Sequence, residues 1–257
     1  MRLAAAIAFA ATVAAAAPRN VIFLYGDDQG VGDWQHPGAY SPHLRKALGE
    51  GLWLSNHYSA AAICSPSRGA LLTGRIPQRL GIYSNRTKAE DDVFSPLSIG
   101  GLPLTEVTLA DLLGSAGYAT AAIGKWHLGT DQFHPVKRGF QQYRGILSTQ
   151  NQCVSNIRFP GSAIPGHTKF GECPYFVNDT IAQQGGVDVL NIDTPYNAFA
   201  ETFIKQSVAD DRPFFLYFAS HHTHAPQVRR RAYAGHRRHG HDTVSMSAQA
   251  LPPALLL

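Results

Sequence analysis

The stretch from Ala62 to Arg75 reads Ala-Ile-Cys-Ser-Pro-Ser-Arg-Gly-Ala-Leu-Leu-Thr-Gly-Arg. Proline suits the first turn of a helix and a preceding serine can cap the exposed amides, so a helix is predicted to begin at Pro66 with Ser65 as its cap. Cys64 then lies at the positive end of the helix dipole, and Arg68 is expected to point back towards it. This pattern favours an anionic nucleophile or substrate. The alternative interpretation is an inert, packed cysteine beside a surface arginine.

Cys64, Pro66 and Arg68, followed by Leu-Leu-Thr-Gly-Arg at 71–75, resemble the signature of type I sulfatases. The resemblance implies that Cys64 is oxidised in the secretory pathway to formylglycine, the nucleophile of that family. It also implies a formylglycine-generating enzyme as the partner during maturation.

Length and composition are those of a globular protein. The chain has 257 residues, 44% of them hydrophobic and 16% charged, which is enough for one sizeable α/β core or for part of a larger one. The net charge of +4 comes with Arg and His gathered in the last thirty residues. We therefore predict no nucleic-acid partner.

Residues 1–17 have the pattern of a signal peptide. Arg2 precedes an apolar run, and an Ala-x-Ala site stands before Pro18. This run is too short for a stable membrane anchor, and an alanine-rich N-terminal helix is the alternative. The mature chain is expected in the secretory pathway, either in the lysosome or outside the cell.

Two further cysteines and two sequons fit secretion. If Cys64 is converted, Cys153 and Cys173 form the natural disulfide pair. Asn85 and Asn178 each begin an Asn-x-Thr glycosylation sequon.

The apolar run Arg19–Tyr25 predicts a strand covered on both faces of a parallel sheet, and Asp27 and Asp28 follow it. Ligands of such sheets bind at the carboxyl ends of the strands. Adjacent carboxylates favour a hard cation, Ca²⁺ or else Mg²⁺, although an ordinary turn is an alternative. The resemblance implies that Asp27, Asp28 and Cys64 are metal ligands.

A second predicted strand, Tyr118–Ile123, precedes Lys125 and His127. In an extended segment these two side chains share one side and Trp126 takes the other, which fits an oxyanion clamp with a proton carrier. A surface lysine and a capped histidine are the alternative. Residues 117–127 resemble the second sulfatase signature, which implies catalytic roles for Lys125 and His127.

A third buried strand, Arg212–Ser220, leads into His221, His222 and His224. Three close histidines can suggest zinc, but neighbours in sequence seldom reach one ion together. The resemblance to the arylsulfatase branch of the family implies that His224 contacts sulfate. By rough alignment, Ser148 is a further substrate-binding candidate, with an ordinary loop serine as the alternative.

The remaining patterns predict three helices, one strand and two loops. The helices are expected at Pro42–Gly51, Thr105–Leu113 and Tyr196–Val208, the strand at Trp53–Tyr58, and the loops at 83–101 and 139–186.

The resemblance covers about residues 19–227 and implies an α/β fold of the alkaline-phosphatase-like type, a mainly parallel sheet flanked by helices. We expect a signal peptide at 1–17, a partial catalytic domain at 18–227 and a divergent basic, low-complexity tail at 228–257. Family members have about twice this length, and later residues supply an Asp-Asn pair and a further lysine. The fold is thus expected to be incomplete at its C-terminus, through truncation, splicing or a faulty gene model.

The implied function is hydrolysis of a sulfate ester, whose organic part is a glycolipid, an aryl group or a sugar. In the family chemistry, the hydrated aldehyde at residue 64 attacks sulfur and His127 takes a proton from its second hydroxyl to release sulfate. Arg68 and Lys125 hold the hydrate, and His224 and the cation neutralise sulfate. The alternatives are a catalytically silent secreted isoform or fragment and a metal-dependent phosphatase.

Overall fold

A six-stranded, mostly parallel sheet forms the centre of the fold in the computed structural model. The model describes residues 18–35, 42–83, 93–95, 98–149, 174–183, 192–221 and 224. The sheet order is β1-β6-β2-β3-β4-β5. The strands are β1 Val21–Gly26, β2 Ala119–Lys125, β3 Gln142–Ile146, β4 Tyr175–Val177, β5 Thr180–Gln183 and β6 Phe214–Ser220. The first four in this order run parallel, and β4 and β5 continue the sheet as an antiparallel hairpin.

Six α-helices connect and flank the strands within the described residues. They are α1 Val31–Gln35, α2 Pro42–Glu50, α3 Cys64–Thr73, α4 Pro77–Leu80, α5 Leu109–Ser115 and α6 Asp193–Ala209. Thr108 and Asp111 form a capping box at the start of α5, which therefore begins four residues after the predicted Thr105. No helix among these is both long and apolar enough to cross a membrane.

Two apolar clusters cover the two faces of the sheet. Alternate residues of β2 and β6, including Ile123 and Phe218, pack with Tyr196 and Phe203 of α6. The intervening residues, such as Tyr217, pack on the other face with side chains from α3, α4 and α5. Strands β2 and β6 are buried along their whole lengths, which confirms the strand predicted at 118–123 and the buried strand predicted at 212–220.

Strand β1 differs from this expectation. It pairs with β6 and stands at the edge of the sheet that the described residues form. Val21 and Leu24 remain more than a third exposed. The prediction that β1 is covered on both faces is therefore wrong for this part of the chain.

Two other predictions are also corrected. Helix α3 begins at Cys64, because the Ile63 carbonyl accepts the Ser67 N–H at 3.2 Å, and no side chain caps it. The stretch Trp53–Tyr58 forms no strand, and its apolar side chains are exposed because no strand of the described sheet pairs with it. The predicted signal peptide, Asn85, the cysteines at 153 and 173 and the tail after residue 227 lie outside the described residues.

The carboxyl ends of β1, β6 and β2 are neighbours, which brings the segments that follow them to one edge of the sheet. A close approach of β2 to β6 helps to set this spacing. Gly124 has a φ of 91°, and an added Cβ would lie 1.9 Å from the Ala219 carbonyl oxygen. A side chain at residue 124 would therefore push the two strands apart.

We expect Gly124→Ala to lower the free energy of unfolding by about 3 kcal/mol or more, since it combines a strained φ with a backbone clash. Urea denaturation followed by circular dichroism measures this change. Gly49→Ala is the matched control, because a Cβ at Gly49 in α2 meets nothing within 4 Å. It is expected to stabilise the protein by about 0.5–1 kcal/mol. Equal midpoints for the two variants would contradict the role assigned to Gly124.

Candidate active site

Asp27, directly after β1, is a buried carboxylate held by two cations. Its Oδ1 accepts a hydrogen bond from Arg68 Nη2 at 3.0 Å, and its Oδ2 accepts one from Lys125 Nζ at 2.7 Å. Burial alone would raise the pKa of Asp27, but the Arg68 and Lys125 charges outweigh it and hold that pKa well below the usual range. The carboxylate therefore stays ionised and ties β1 to α3 and β2.

Cys64 is the first residue of α3, where unpaired backbone N–H groups favour a negative charge. Its Sγ lies 3.1 Å from Lys125 Nζ and 3.7 Å from Asp27 Oδ1. Burial raises the pKa of the thiol, but a hydrogen bond with His224 and the Lys125 charge lower it more, so the net shift is downward. The site thus stabilises an anion at residue 64.

Arg68 lies fully buried beneath this group. Its Nη1 donates to the Lys125 carbonyl at 2.9 Å and to the Tyr217 hydroxyl at 3.3 Å, and its guanidinium stands 5.1 Å from the centre of the Tyr25 ring. Arg68 also forms an ion pair with Asp27, whose Oδ1 lies 3.7 Å from Cys64 Sγ, so its guanidinium reaches towards the group at residue 64. Arg68 braces the site from the interior of the fold.

Lys125 and His127 both belong to the site, but not through an extended segment. Strand β2 ends at Lys125, Trp126 packs in the core, and His127 has a φ of 57°. Burial, then the charges of Lys125 and Arg68, keep the pKa of His127 well below its usual value. Both ring nitrogens are buried without a hydrogen-bond partner among the described residues. A neutral imidazole in this state can accept a proton.

The loop after β6 brings His224 to the same place. His224 Nε2 lies 3.6 Å from Asp28 Oδ2, and Asp28 is 57% exposed. His221 is buried and its Nε2 contacts the Tyr196 hydroxyl at 3.0 Å, while its carbonyl accepts the His224 N–H at 3.1 Å. The two histidines therefore differ in environment, and His222 lies outside the described residues.

The donor atoms of Asp27, Cys64 and His224 all lie within 4.8 Å of one another, close enough for one metal ion. Asp28, a predicted ligand, faces His224 at the rim of this group. Ser148 is buried in the segment after β3, at the same edge of the sheet. Asn178 lies in the turn between β4 and β5, where its side chain accepts the Tyr143 N–H at 3.0 Å.

Sequence reasoning missed the hydroxyl groups that brace the site. Ser65 Oγ donates to the His127 carbonyl at 2.7 Å and so joins α3 to the segment after β2. Ser67 Oγ contacts the hydroxyls of Tyr25 and Ser59. A single tyrosine in each of two otherwise apolar strands, Tyr25 in β1 and Tyr217 in β6, was the available signal, since a buried hydroxyl needs a partner.

We expect Asp27→Asn to lower the free energy of unfolding by about 3–5 kcal/mol, because it leaves two buried cations without their counter-ion. Urea denaturation at pH 7 measures the loss. Glu201→Gln on α6 is the control, since its pair with Lys205 is exposed and is worth less than about 1 kcal/mol.

The same variant has a defined pH dependence. The folded-state pKa of Asp27 lies below its unfolded value of about 3.9, so its stabilisation is complete above that pH and is lost as the pH falls further. The stability difference between wild type and Asp27→Asn should therefore shrink below about pH 4. A difference that grows on acidification would contradict the assignment.

A sequence model of the sulfatase family matches residues 19–250 of the chain. Arylsulfatase A of Bos taurus is 38% identical over 244 residues, which cover 91% of this chain and 47% of that protein. N-acetylgalactosamine-6-sulfatase of Canis lupus familiaris is 37% identical over 246 residues, covering 93% of this chain and 46% of that protein. The chain thus spans about half the length of the curated relatives it matches.

Among solved structures, Ps i-CgsB in complex with k-i-k-neocarrahexaose superposes with a TM-score of 0.68 at 27% identity. The match covers 91% of this chain and 52% of that one. This structural similarity confirms the predicted α/β fold of the alkaline-phosphatase-like type. The sequence similarity to arylsulfatase A confirms the predicted resemblance of residues 19–227 to the arylsulfatase branch.

Proposed function

This chain belongs to the sulfatase family, and from that membership we propose that it hydrolyses sulfate esters at the site around Cys64. The observation that carries the proposal is the placement of Lys125 Nζ between Cys64 Sγ and Asp27 Oδ2, at 3.1 and 2.7 Å. The relatives named arylsulfatase and N-acetylgalactosamine-6-sulfatase suggest aryl sulfates, sulfated glycolipids or sulfated sugars as substrates.

Cys64 is proposed to become formylglycine, whose hydrate carries two hydroxyl groups. One hydroxyl would supply the oxygen that attacks sulfur, and deprotonation of the other would release sulfate and re-form the aldehyde. Lys125 orients the group at residue 64 and stabilises negative charge on it, because its ammonium is already within hydrogen-bond distance. Arg68 pairs with Asp27, and Asp27 in turn pairs with Lys125. Arg68 therefore helps to position Lys125 from the interior of the fold.

His127 is the proposed general base. Burial and the neighbouring cations lower its pKa, which favours the neutral imidazole that a general base requires. Its two ring nitrogens, which have no partner within the described part of the chain, give it an open acceptor. After taking the proton, the charged ring would be disfavoured by Lys125, which promotes release of that proton to solvent.

Asp27, Asp28 and the oxygen-bearing residue 64 are proposed to hold Ca²⁺, with Mg²⁺ as the alternative. The fit is chemical: two adjacent carboxylates are hard donors, and Asp27 is kept ionised. These residues supply only part of the 6–8 oxygens that Ca²⁺ takes, so other ligands, water included, would complete the shell. When bound, the cation would neutralise sulfate oxygens.

His224 and Ser148 are the proposed substrate-binding residues. His224 already hydrogen-bonds the group at residue 64 and faces Asp28, so a sulfate bound there would meet its ring. We also propose that His224 helps to protonate the leaving oxygen. Ser148 would offer a hydroxyl from the segment after β3.

Maturation in the secretory pathway completes the proposal. It comprises removal of residues 1–17, conversion of Cys64 by a formylglycine-generating enzyme, a Cys153–Cys173 disulfide and glycans on Asn85 and Asn178. The mature protein is proposed to act in the lysosome or outside the cell. The tail from residue 228 is proposed to be divergent and without a catalytic role.

Two measurements test the function. Peptide mass spectrometry of the chain secreted from its own cells should find residue 64 about 18 Da lighter than cysteine. The purified protein should hydrolyse an aryl sulfate, and Cys64→Ala should abolish turnover. His43→Ala on α2, a residue with no proposed role in the site, is the matched control and should keep full activity.

Other outcomes favour the other candidates. Conversion of Cys64 without turnover would identify a catalytically silent secreted form. Hydrolysis of an aryl phosphate in preference to the sulfate would identify a metal-dependent phosphatase. An unmodified thiol in the secreted protein would overturn the sulfatase mechanism.

A further inference from the structure

When residue 64 is an unmodified cysteine, three possible metal ligands of different chemistry lie close together. They are the Asp27 carboxylate after β1, the Cys64 thiol at the start of α3 and the His224 imidazole after β6, and all their ligand atoms lie within 4.8 Å of one another. One sulfur, one nitrogen and one oxygen donor form a set typical of Zn²⁺ and foreign to Ca²⁺. The thiol form of the site therefore differs in metal preference from a form in which residue 64 carries oxygen.

The spacing fits zinc. Zinc binds sulfur at about 2.3 Å and carboxylate oxygen at about 2.0–2.2 Å, so two such ligands in a tetrahedron lie roughly 3.5 Å apart. Cys64 Sγ and Asp27 Oδ1 are 3.7 Å apart. The distances from the His224 nitrogen to the other two ligand atoms are at most 4.8 Å, and they would shorten to about 3.5 Å if all three atoms bound one ion. Water would then take the fourth position.

Two cations contact the ligand atoms directly, since Lys125 Nζ lies 3.1 Å from Cys64 Sγ and Arg68 Nη2 lies 3.0 Å from Asp27 Oδ1. Lys125 holds the other carboxylate oxygen, Oδ2, and Arg68 donates to Oδ1 in the manner of the outer hydrogen bonds that orient metal ligands. Asp28, 3.6 Å from His224, supplies a carboxylate beside the histidine. Because Lys125 and Arg68 oppose a further cation, we expect micromolar affinity and not the tighter binding of structural zinc sites.

A further polar group faces this region. His127 is 2% exposed, its carbonyl accepts a hydrogen bond from Ser65, the neighbour of Cys64, and neither ring nitrogen has a hydrogen-bond partner among the described residues. A metal-bound water would give it one. This observation is independent of the three donors.

We propose that the chain with an unconverted Cys64 binds one Zn²⁺ through Cys64, Asp27 and His224. Zinc displaces the thiol proton to solvent, and no oxidant takes part. Loss of the sulfur on conversion to an aldehyde removes the soft ligand and turns the site towards hard cations. The chemical state of residue 64 thus selects the metal, a property that goes beyond sulfate-ester hydrolysis.

The test uses Co²⁺ as a spectroscopic substitute for Zn²⁺. The full 257-residue chain, made in a cell without formylglycine-generating activity so that the thiol is retained, is titrated with Co²⁺. We expect a thiolate-to-cobalt charge-transfer band in the near ultraviolet and intense visible bands typical of tetrahedral cobalt, both removed by one equivalent of Zn²⁺. Cys64→Ser should remove the charge-transfer band, and His224→Ala should weaken binding at least tenfold.

Two controls isolate the site. The double variant Cys153→Ser, Cys173→Ser should keep the band, as should His43→Ala. A wild-type chain without the band, or a band that survives in Cys64→Ser, would overturn the proposal. The two proposals can fail separately. If the unconverted chain gives the cobalt spectrum but the converted protein does not hydrolyse sulfate esters, only the proposed function is overturned.

Discussion

The buried carboxylate of Asp27 is the interaction on which the site depends. Removing an ionised carboxylate from water costs several kcal/mol unless its charge is matched and its oxygens accept hydrogen bonds. Arg68 and Lys125 meet both conditions from different elements, α3 and β2. The end of β1, the first turns of α3 and the end of β2 must therefore stay in register. The surroundings of Cys64 follow from that constraint, because its polar neighbours include the same carboxylate and the same ammonium.

Much of this arrangement could be predicted from the sequence because it follows from short-range rules. Apolar runs marked β2 and β6 as strands, and parallel strands end at a common edge. Polar residues that directly follow such runs, namely Asp27, Lys125 and the histidines after residue 220, were therefore expected to meet. The structure brings Asp27, Lys125, Cys64 and His224 together at this edge. Their chemical roles remain predictions.

The features that escaped prediction depend on distant partners or on single backbone angles. Nothing local shows that Arg68 turns to Asp27 and Tyr217, since that choice is made by burial beneath the sheet. The left-handed conformation of His127 breaks the alternation expected of an extended segment. The stretch Trp53–Tyr58 has a strand-like composition, but a strand needs a partner and the described sheet offers it none.

The contact between Tyr196 and His221 has a mechanical consequence. Helix α6 lies on one face of the sheet and α3 on the other, as their separate apolar clusters show. Cys64 belongs to α3, whereas His224 is connected to the opposite face of the sheet, because the neighbouring His221 contacts Tyr196 of α6. The distance between the side chains of Cys64 and His224 therefore depends on the relative position of α3 and α6 on the two faces of the sheet. Any slippage of α6 along β6 would change that distance, whereas the ion pairs of Asp27 join β1, α3 and β2 and do not involve α6.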